Sequence, residues 1–398
     1  MPRLRLIAPA VPVLALALTA CVPNSPTASS SATGGGALTV SSTADACTLS
    51  ATSAPSGTLT FTVTNDGSQT TEFYLLAADG LRIVAEVENI GPGLSRDLVA
   101  QVAPGSYLTA CKPGMVGDGI RASFTVTDSG TPVGPTGDVA AQLTAAEASY
   151  VAYVKDQVGS LITGTKAFAA AYTAGDDTTA RSLYASTRVH WERVEPVAES
   201  FGDLDPLLDL READLEAGQT WTGWHLIEKD LWQPTPAANG GVAYTPLTAE
   251  QRTTAANDLV AHTQELLDRV NAPGFTVAAF AISNGAKELL DEVATGKVTG
   301  EEEAWSHTDL WDFAANVDGA KVAYEVLADV VKEKDPQLAS TLDTRFAALA
   351  TQLAAYGSIE SGFVTYDTLT PDQVRALAAD VDALAEPLST LTATVTSA

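Results

Sequence analysis

Two pairs of side chains, each spaced three residues apart, could hold a metal ion. Glu192 and Glu195 are spaced so that both carboxylates leave the same face of a helix. His225 and Glu228 have the same spacing, and an imidazole and a carboxylate on one helical turn can bind one ion inside a helix bundle. Because paired carboxylates repel each other unless a cation joins them, the pattern predicts a metal site. The alternative for any single acidic pair is a solvated acidic face.

The sequence around these pairs favours the metal hypothesis. Nine of the 25 residues from 192 to 216 are Asp or Glu, and only two arginines oppose them. Three tryptophans flank the second pair, at Trp221, Trp224 and Trp232. The chain has only 4 His and 3 Cys, so metal ligands must come largely from carboxylates. A zincin-type peptidase would need His-Glu-x-x-His, a pattern that the sequence lacks.

The overall charge excludes several classes of partner. The 398 residues include 22 Lys+Arg against 49 Asp+Glu, which gives a net charge of −27. A chain this acidic repels phosphate backbones, so broad recognition of nucleic acids or anionic lipids is excluded and cations are the favoured partners. The length suggests two domains or three.

The N-terminus carries an export signal. Two arginines and an apolar run from Leu6 to Leu18 precede Leu-Thr-Ala-Cys21, which is similar to a bacterial lipoprotein signal. Residues 1–20 are therefore predicted to be removed, and Cys21 to carry lipid; the alternative is an ordinary signal with an incidental cysteine. Residues 21–43 are predicted to be a flexible tether. Lipid at Cys21 would hold the protein on the outer face of the cell membrane, in the cell envelope or periplasmic space.

Two segments of different character follow the tether. Short alternating runs with Gly, Pro, Asn and Asp punctuation predict an antiparallel β-sandwich of about seven strands over residues 44–127. Residues 128–143 are predicted to be a linker, and residues 144–398 an all-α bundle. Helices are predicted at residues 144–174, 176–200, 204–217, 221–231, 248–271, 275–296, 301–333, 335–356 and 371–395. Three of these predicted helices begin with a capping-box pattern: Thr144 to Glu147, Thr248 to Gln251 and Thr370 to Gln373.

Two cysteines remain in the predicted sandwich. Cys47 and Cys111 are 64 residues apart in an exported, oxidising setting, where a disulfide is one interpretation. Residues 44–127 contain no histidine, which excludes a blue-copper electron-transfer site.

Several long motifs carry a resemblance to a known family. The segment from Gly223 to Trp232, together with residues 188–199, 201–205 and 308–320, resembles the imelysin-like, peptidase-named domain of the EfeO family. The predicted sandwich resembles the cupredoxin-like domain of the same family. The resemblance implies a cell-envelope protein that binds iron and delivers it to an iron permease, in a system that includes a haem peroxidase of the dye-decolourising type.

The resemblance also implies a ligand set in each domain. In the helical domain the metal ligands are Glu192, Glu195, Asp209, His225 and Glu292, with Glu228 as ligand or orienting partner. Glu288 lies one turn from Glu292 and could replace it. Oxygen donors with one imidazole suit Fe(III), Fe(II), Mn or Zn, and the resemblance implies iron. In the sandwich the implied ligands, for copper or zinc, are Cys47, Glu72, Glu88 and Cys111. A disulfide between the two cysteines would remove the thiolates from this second site.

Capture and delivery of iron need no covalent catalysis, so the function predicted from the sequence is that of a binding protein. The competing hypothesis is a metalloenzyme, a ferroxidase before a peptidase, that uses the His-x-x-Glu motif. The acids between Asp309 and Asp318 are predicted to fix the geometry of the bundle. His190, His262 and His307 are predicted to be structural or exposed to solvent.

Overall fold

A computed structural model of the protein describes residues 37–80, 83–115, 117–215 and 218–397. The predicted signal peptide, the lipidation of Cys21 and most of the predicted tether lie outside these residues. Within the described part, no helix is long and apolar enough to cross a membrane. The β-sandwich and the helical bundle belong to one compact unit.

The first domain consists of two β-sheets packed face to face. One sheet has the strand order β2-β1-β4-β7, the other has the order β3-β9-β8-β5-β6, and neither is closed. Alternate side chains of the strands fill the space between the sheets. In the fourth strand Leu59, Phe61 and Val63 are buried, while the threonines between them are not. The strands are β1 (Leu38–Ser42), β2 (Cys47–Leu49), β3 (Ser53–Pro55), β4 (Gly57–Asn65), β5 (Thr71–Ala77), β6 (Ile83–Ile90), β7 (Ser95–Val102), β8 (Gly105–Pro113) and β9 (Ile120–Thr127).

Two details of the predicted sandwich are wrong. The sandwich starts earlier than residue 44, because β1 lies inside the segment that was predicted to be a tether and buries Leu38 and Val40. The strands are also not all antiparallel: β1 pairs with β4, and β3 with β9, in parallel register. Because this segment is rich in Ser and Thr, its two inward-facing apolar residues were not enough to predict a strand from the sequence.

A disulfide joins the two sheets. Cys47 of β2 is bonded to Cys111 of β8, so the structure has the disulfide rather than two free thiolates. The second candidate site, Cys47, Glu72, Glu88 and Cys111, therefore has no thiolate ligands. Its two carboxylates are held by other groups, since the Tyr74 hydroxyl donates to Glu72 and, at 3.4 Å, to Glu88 Oε1.

Replacing Cys47 and Cys111 together by serine is expected to destabilise the sandwich by about 4 kcal/mol, because the bond closes a long loop in the unfolded chain. The two cysteines are separated by 64 residues. Urea unfolding of the wild type and the double variant measures the loss. Thiol labelling of the unreduced wild type should leave both residues unmodified; labelling of either one would contradict the prediction.

The second domain is an all-α bundle with one continuous core, as predicted. The long helix α1 packs against α2, α6 and α8. The helices are α1 (Gly137–Thr173), α2 (Asp177–Glu192), α3 (Glu195–Glu199), α4 (Asp205–Leu208), α5 (Trp224–Trp232), α6 (Ala249–Asn271), α7 (Ala279–Thr295), α8 (Asp309–Lys334), α9 (Pro336–Leu353), α10 (Pro371–Leu388) and α11 (Leu391–Thr396). A short hairpin, β10 (Gly357–Ser358) with β11 (Gly362–Phe363), follows α9.

Two of the three predicted capping boxes are present. Thr248 and Thr370 each accept from the backbone N–H three residues later, while the side chains of Gln251 and Gln373 bond back. The third prediction is wrong, because α1 begins at Gly137, within the predicted linker, and runs through Thr144. Glu147 instead accepts the backbone N–H of Ala279 at 2.8 Å and so caps the start of α7.

Helix α7 joins the two domains. Phe280 packs into the core of the sandwich. Farther along the helix, Asn284 Nδ2 donates to Val99 O at 3.1 Å, and Asp291 pairs with Arg96 at 2.5 Å. Because the far end of the same helix carries Glu292, the sandwich is fixed close to the acidic centre of the bundle.

Candidate metal centre

A break between α2 and α3 brings the first acidic pair together. Pro196 has no N–H to donate to Glu192 O, so α2 cannot continue past it. Asn316 of α8 bonds that carbonyl instead, with Nδ2 at 2.9 Å, and the same nitrogen lies 3.1 Å from Glu195 Oε2. Helix α8 comes this close because position 319 is glycine: a Cβ there would lie 2.6 Å from Arg193 O.

A second close approach places the histidine. Helix α5 begins immediately after Gly223, which has φ +88°, and a Cβ at that position would clash with Leu208 O. The first turn of α5 therefore lies against the end of α4, and His225 lies beside Asp209. Only glycine satisfies both the backbone conformation and the contact.

Glu228 orients the imidazole. Its Oε2 lies 3.2 Å from His225 Nδ1. Its Oε1 accepts the backbone N–H groups of Trp305 at 2.9 Å and Ser306 at 2.7 Å. The carboxylate is therefore fixed between the ring and the loop that precedes α8, and it directs Nε2 of the ring toward the other acids.

The ring nitrogen Nε2 of His225 is the most informative atom of the centre. It is buried and makes no hydrogen bond to any described residue, although Asp209 Oδ1 lies at 3.3 Å and Glu302 Oε1 at 3.5 Å. Asp209, His225 and Glu302 each offer a donor atom within 4.8 Å of the others. Two further groups share members with this one: Glu192, Glu195 and Asp209; and His225, Glu228 and Glu303.

Two buried basic side chains lie among these acids. Arg188 contacts Glu192 at 2.6 Å, Glu303 at 2.7 Å, Asp312 at 3.6 Å and Glu302 at 3.8 Å, and it also pairs with Asp209. Lys297 Nζ lies 2.6 Å from Glu192 Oε2, 2.8 Å from Glu195 Oε2 and 3.3 Å from Glu292 Oε1. The acids outnumber these bases, and both oxygens of Asp312 and Oδ1 of Asn316 are buried without a hydrogen bond from any residue that the structure describes.

The surplus of acids divides them into ionised and protonated groups. Burial would raise the pKa of Asp209, but Arg188 and His225 hold it well below its ordinary value. Burial likewise opposes ionisation of Glu302, yet Lys297 and His225 lower its pKa to about 2. Burial, reinforced by neighbouring acids, raises the pKa of Glu195 and Glu303 well above the ordinary value. Metal-free protein therefore holds protons where a cation could bind.

The same surroundings favour the charged form of the imidazole. Burial and the Arg188 charge oppose protonation of His225, but contacts with Asp209, Glu228 and Glu302 outweigh them and raise the pKa of the ring well above its ordinary value. Proton and metal ion therefore compete for Nε2.

Metal-free protein is expected to lose stability as the pH rises from about 5 to about 7.5. Burial raises the pKa of Asp309 to about 6 and that of Asp205 to about 7, from an ordinary value of 3.8. Between these values the folded state holds protons that the unfolded state has already released. The stability that these two carboxyls contribute is complete below pH 3.8 and is lost as the pH rises through their folded-state pKa values. Urea unfolding at pH 5, 6 and 7.5 with metal removed measures this trend.

The raised pKa of His225 also makes the protein less stable as the pH rises. The pKa of His190, lowered mainly by burial, has the opposite effect on stability. Asp209 and Glu302 do not oppose the trend, because lowered carboxyl pKa values cost stability only at more acidic pH. A free energy of unfolding that rises steadily from pH 5 to pH 7.5 would contradict the prediction.

The structure brings most of the predicted ligands together. Glu192, Glu195, Asp209, His225 and Glu228 are all buried in the centre. Glu292 lies at its rim, with 31% of its side chain exposed and its Oε1 at 3.3 Å from Lys297 Nζ. Glu288 lies elsewhere, on a separate cavity of about 610 Å³ that it shares with Glu86 of β6.

Four important residues were not predicted as part of the site. Arg188 and Lys297 supply the buried positive charge, and Glu302 and Glu303 come from the loop before α8. The sequence predicted that loop as the first turns of a helix starting at 301. The helix starts only at Asp309, whose Oδ1 accepts the Glu303 backbone N–H at 3.1 Å. Three consecutive glutamates shortly before Trp305, Glu301 to Glu303, were the available signal.

The centre opens on a cleft between the two domains. This cleft has a volume of about 1200 Å³ and is lined on the helical side by Glu292, Lys297 and Glu302. Glu88 and Lys112 of the sandwich line the opposite wall. The outer acids of the centre therefore face the boundary between the two domains.

Comparisons with known proteins agree with this architecture. The family model described as Imelysin matches residues 146–391. The "Iron uptake system component EfeO" of Yersinia pestis is 36% identical over 348 residues, which cover 87% of each chain. The protein of the same name from Escherichia coli strain K12 is 37% identical over 338 residues, covering 84% of this chain and 85% of its own. The chain belongs to the EfeO-type imelysin family.

The resemblance predicted from the motifs is thereby confirmed. In this EfeO-type chain the imelysin match covers the whole acidic centre, from Arg188 to Asn316. A crystal structure from Parabacteroides distasonis covers 67% of this chain and 97% of its own, with 16% identity and a TM-score of 0.49, a likeness too distant to indicate a function.

Proposed function

We propose that this chain binds iron in the cell envelope and delivers it to a membrane iron permease, as one component of an uptake system that also includes a haem peroxidase. In this proposal lipid at Cys21 anchors the chain to the outer face of the cell membrane. The relatives that match almost the whole chain are named as iron uptake system components.

The observation that carries the proposal is that Nε2 of His225 faces Asp209 and Glu302 and makes no hydrogen bond to the described part of the chain. A buried ring nitrogen that makes no hydrogen bond is unfavourable unless an ion or a proton occupies the position. Carboxylate oxygens with one imidazole suit Fe(II) and Fe(III), whereas thiolate-preferring ions are disfavoured. In the proposed site Asp209, His225 and Glu302 bind the ion, Glu192 and Glu195 complete its coordination beside Asp209, and Glu228 orients the ring.

The positions of two acids at the cleft support the delivery step of this proposal. Glu292 is a rim acid between the buried centre and the interdomain cleft, and Glu88 faces that cleft from the sandwich. Carboxylates spaced along a route allow an ion to exchange ligands step by step. Binding and release of this kind involve no covalent step.

Glu302→Gln is expected to weaken iron binding about thirtyfold, equivalent to about 2 kcal/mol, because a charged ligand is replaced by a neutral amide. Glu301 offers a matched control. Its carboxylate is 52% exposed and contacts Arg211, outside the donor groups. Glu301→Gln is therefore expected to change the affinity by no more than about threefold. The purified chain is titrated with Fe(II) anaerobically and with Fe(III)-citrate.

Failure of the wild type to bind either form of iron would refute the proposed function. Equal effects of Glu302→Gln and Glu301→Gln would refute the assignment of the site while leaving iron binding intact. A parallel assay on an unfolded protein substrate separates binding from catalysis, since iron-dependent peptide cleavage would support the peptidase hypothesis instead.

A further inference from the structure

Lys297 occupies the position of a cation among the proposed ligands. Its side chain is fully buried, and its ammonium group contacts Glu192 at 2.6 Å, Glu195 at 2.8 Å and Glu292 at 3.3 Å. All three acids belong to the ligand set predicted from the sequence. The ammonium group thus lies between the two acids of the α2–α3 break and the rim acid of α7.

A metal ion cannot share this position with the lysine. Metal–oxygen bonds to carboxylates are roughly 2.0–2.2 Å long, so an ion bound to Glu192 and Glu195 would lie within a few ångströms of the ammonium group. Two positive charges that close, in a buried site, repel each other strongly. Either the ion binds only to the donors around His225, or the ammonium group moves away.

The surroundings of Lys297 allow it to move. The residue begins a short 3₁₀ turn, Lys297–Thr299, rather than lying within a long helix. It also lines the interdomain cleft, together with Glu301 and Glu302. A four-carbon stem with three rotatable donors can exchange one set of carboxylates for another. Arg188, by contrast, is buried among five carboxylates and has a planar group that cannot be rearranged as easily.

We propose that Lys297 is an internal counter-ion that competes with the metal: its ammonium group holds Glu192, Glu195 and Glu292 in the metal-free protein and is displaced into the cleft when an ion binds. This inference rests on the proposed function. Metal uptake at the centre is then an exchange of cations. Only ions that bind the carboxylates more strongly than an ammonium group enter, so Lys297 sets a lower limit on the affinity of the ions that the site accepts.

The first test follows the position of Lys297 in the unaltered protein. Amines are acetylated with an N-hydroxysuccinimide ester, with and without Ga(III) as a redox-inert substitute for Fe(III), and each lysine is quantified by mass spectrometry. Modification of Lys297 is expected to increase at least about tenfold when Ga(III) binds, because the amine moves from a buried position to the cleft. Lys321 is the control; half of its side chain is exposed and its ammonium group pairs with Glu325 at 3.4 Å. Lys297 that stays protected in the metal-bound protein would overturn the inference.

The second test removes the competitor. Lys297→Met keeps a similar side-chain length without the charge. It is expected to bind Mn(II), an ion that binds the same ligands more weakly than iron does, at least about tenfold more tightly than the wild type. Lys321→Met is expected to bind Mn(II) as the wild type does. Unchanged or weaker binding by Lys297→Met would show a merely structural lysine and overturn the inference, while iron binding by the wild type would still stand. A chain that binds no metal refutes the proposed function and this inference together. If Lys297→Met does not fold, the labelling of the wild type decides.

Discussion

His225→Ala is expected to weaken iron binding about a thousandfold, equivalent to about 4 kcal/mol. The imidazole is the one nitrogen ligand of the proposed site, and its buried Nε2 faces Asp209 and Glu302 without a hydrogen bond to any residue in the described ranges. Without the ring, the ion loses a direct bond and Glu228 loses the group that it orients. Competition with a chelator of known affinity measures the change for Fe(II) under anaerobic conditions.

His262 offers the matched control, because it lies on α6, outside the three donor groups. His262→Ala should bind iron within about threefold of the wild type. His225→Gln guards against a loss of fold, since it keeps a polar side chain of similar size. If His225→Ala and His225→Gln are folded and bind iron as tightly as the wild type, the imidazole is not a ligand.

Arg188→Met is expected to destabilise the helical domain by about 4 kcal/mol, because removing the guanidinium leaves the charges of its buried carboxylate partners uncompensated. The guanidinium contacts carboxylates from four different parts of the chain: Glu192, Asp209, the loop acids Glu302 and Glu303, and Asp312 of α8. Its loss leaves those acids with Lys297 and His225 alone. Urea unfolding followed by tryptophan fluorescence reports on this region, since Trp191 and Trp224 are buried in the bundle core.

The control for this prediction is Arg193→Met, five residues along the chain. Arg193 pairs with Asp318 at 2.9 Å, but both side chains are partly exposed, so its loss should cost less than about 1 kcal/mol. The stability of Arg188→Met should also recover in part below pH 5, where protonation removes the repulsion among the acids. Similar losses for the two variants would mean that the buried network does not hold the centre together.

Local sequence patterns predicted the pairs in the centre, but not always for the right reason. His225 and Glu228 are on one turn of α5, as their spacing predicts. Glu192 and Glu195 also meet, yet they lie on two helices, because Pro196 prevents α2 from continuing. The spacing of three residues predicted the proximity, while the carbonyl that the break leaves free is bonded by Asn316, more than a hundred residues away.

The rest of the centre was beyond local patterns. Lys297 meets Glu192 across a sequence separation of 105 residues, and Glu302 and Glu303 reach Arg188 from a loop that was predicted to be helical. Such contacts depend on how the bundle packs, not on the period of the apolar residues. Similarly, the sandwich was predicted from its alternation, but the parallel pairing of β1 with β4 is a long-range property of the fold.

The most direct test of the account is the position of iron in a crystal of the iron-loaded protein, determined by anomalous diffraction at the iron absorption edge. We expect an iron peak roughly 2 Å from His225 Nε2 and from one oxygen each of Asp209 and Glu302. A strongest peak outside bonding distance of His225, for example between Glu72 and Glu88 of the sandwich, would contradict it.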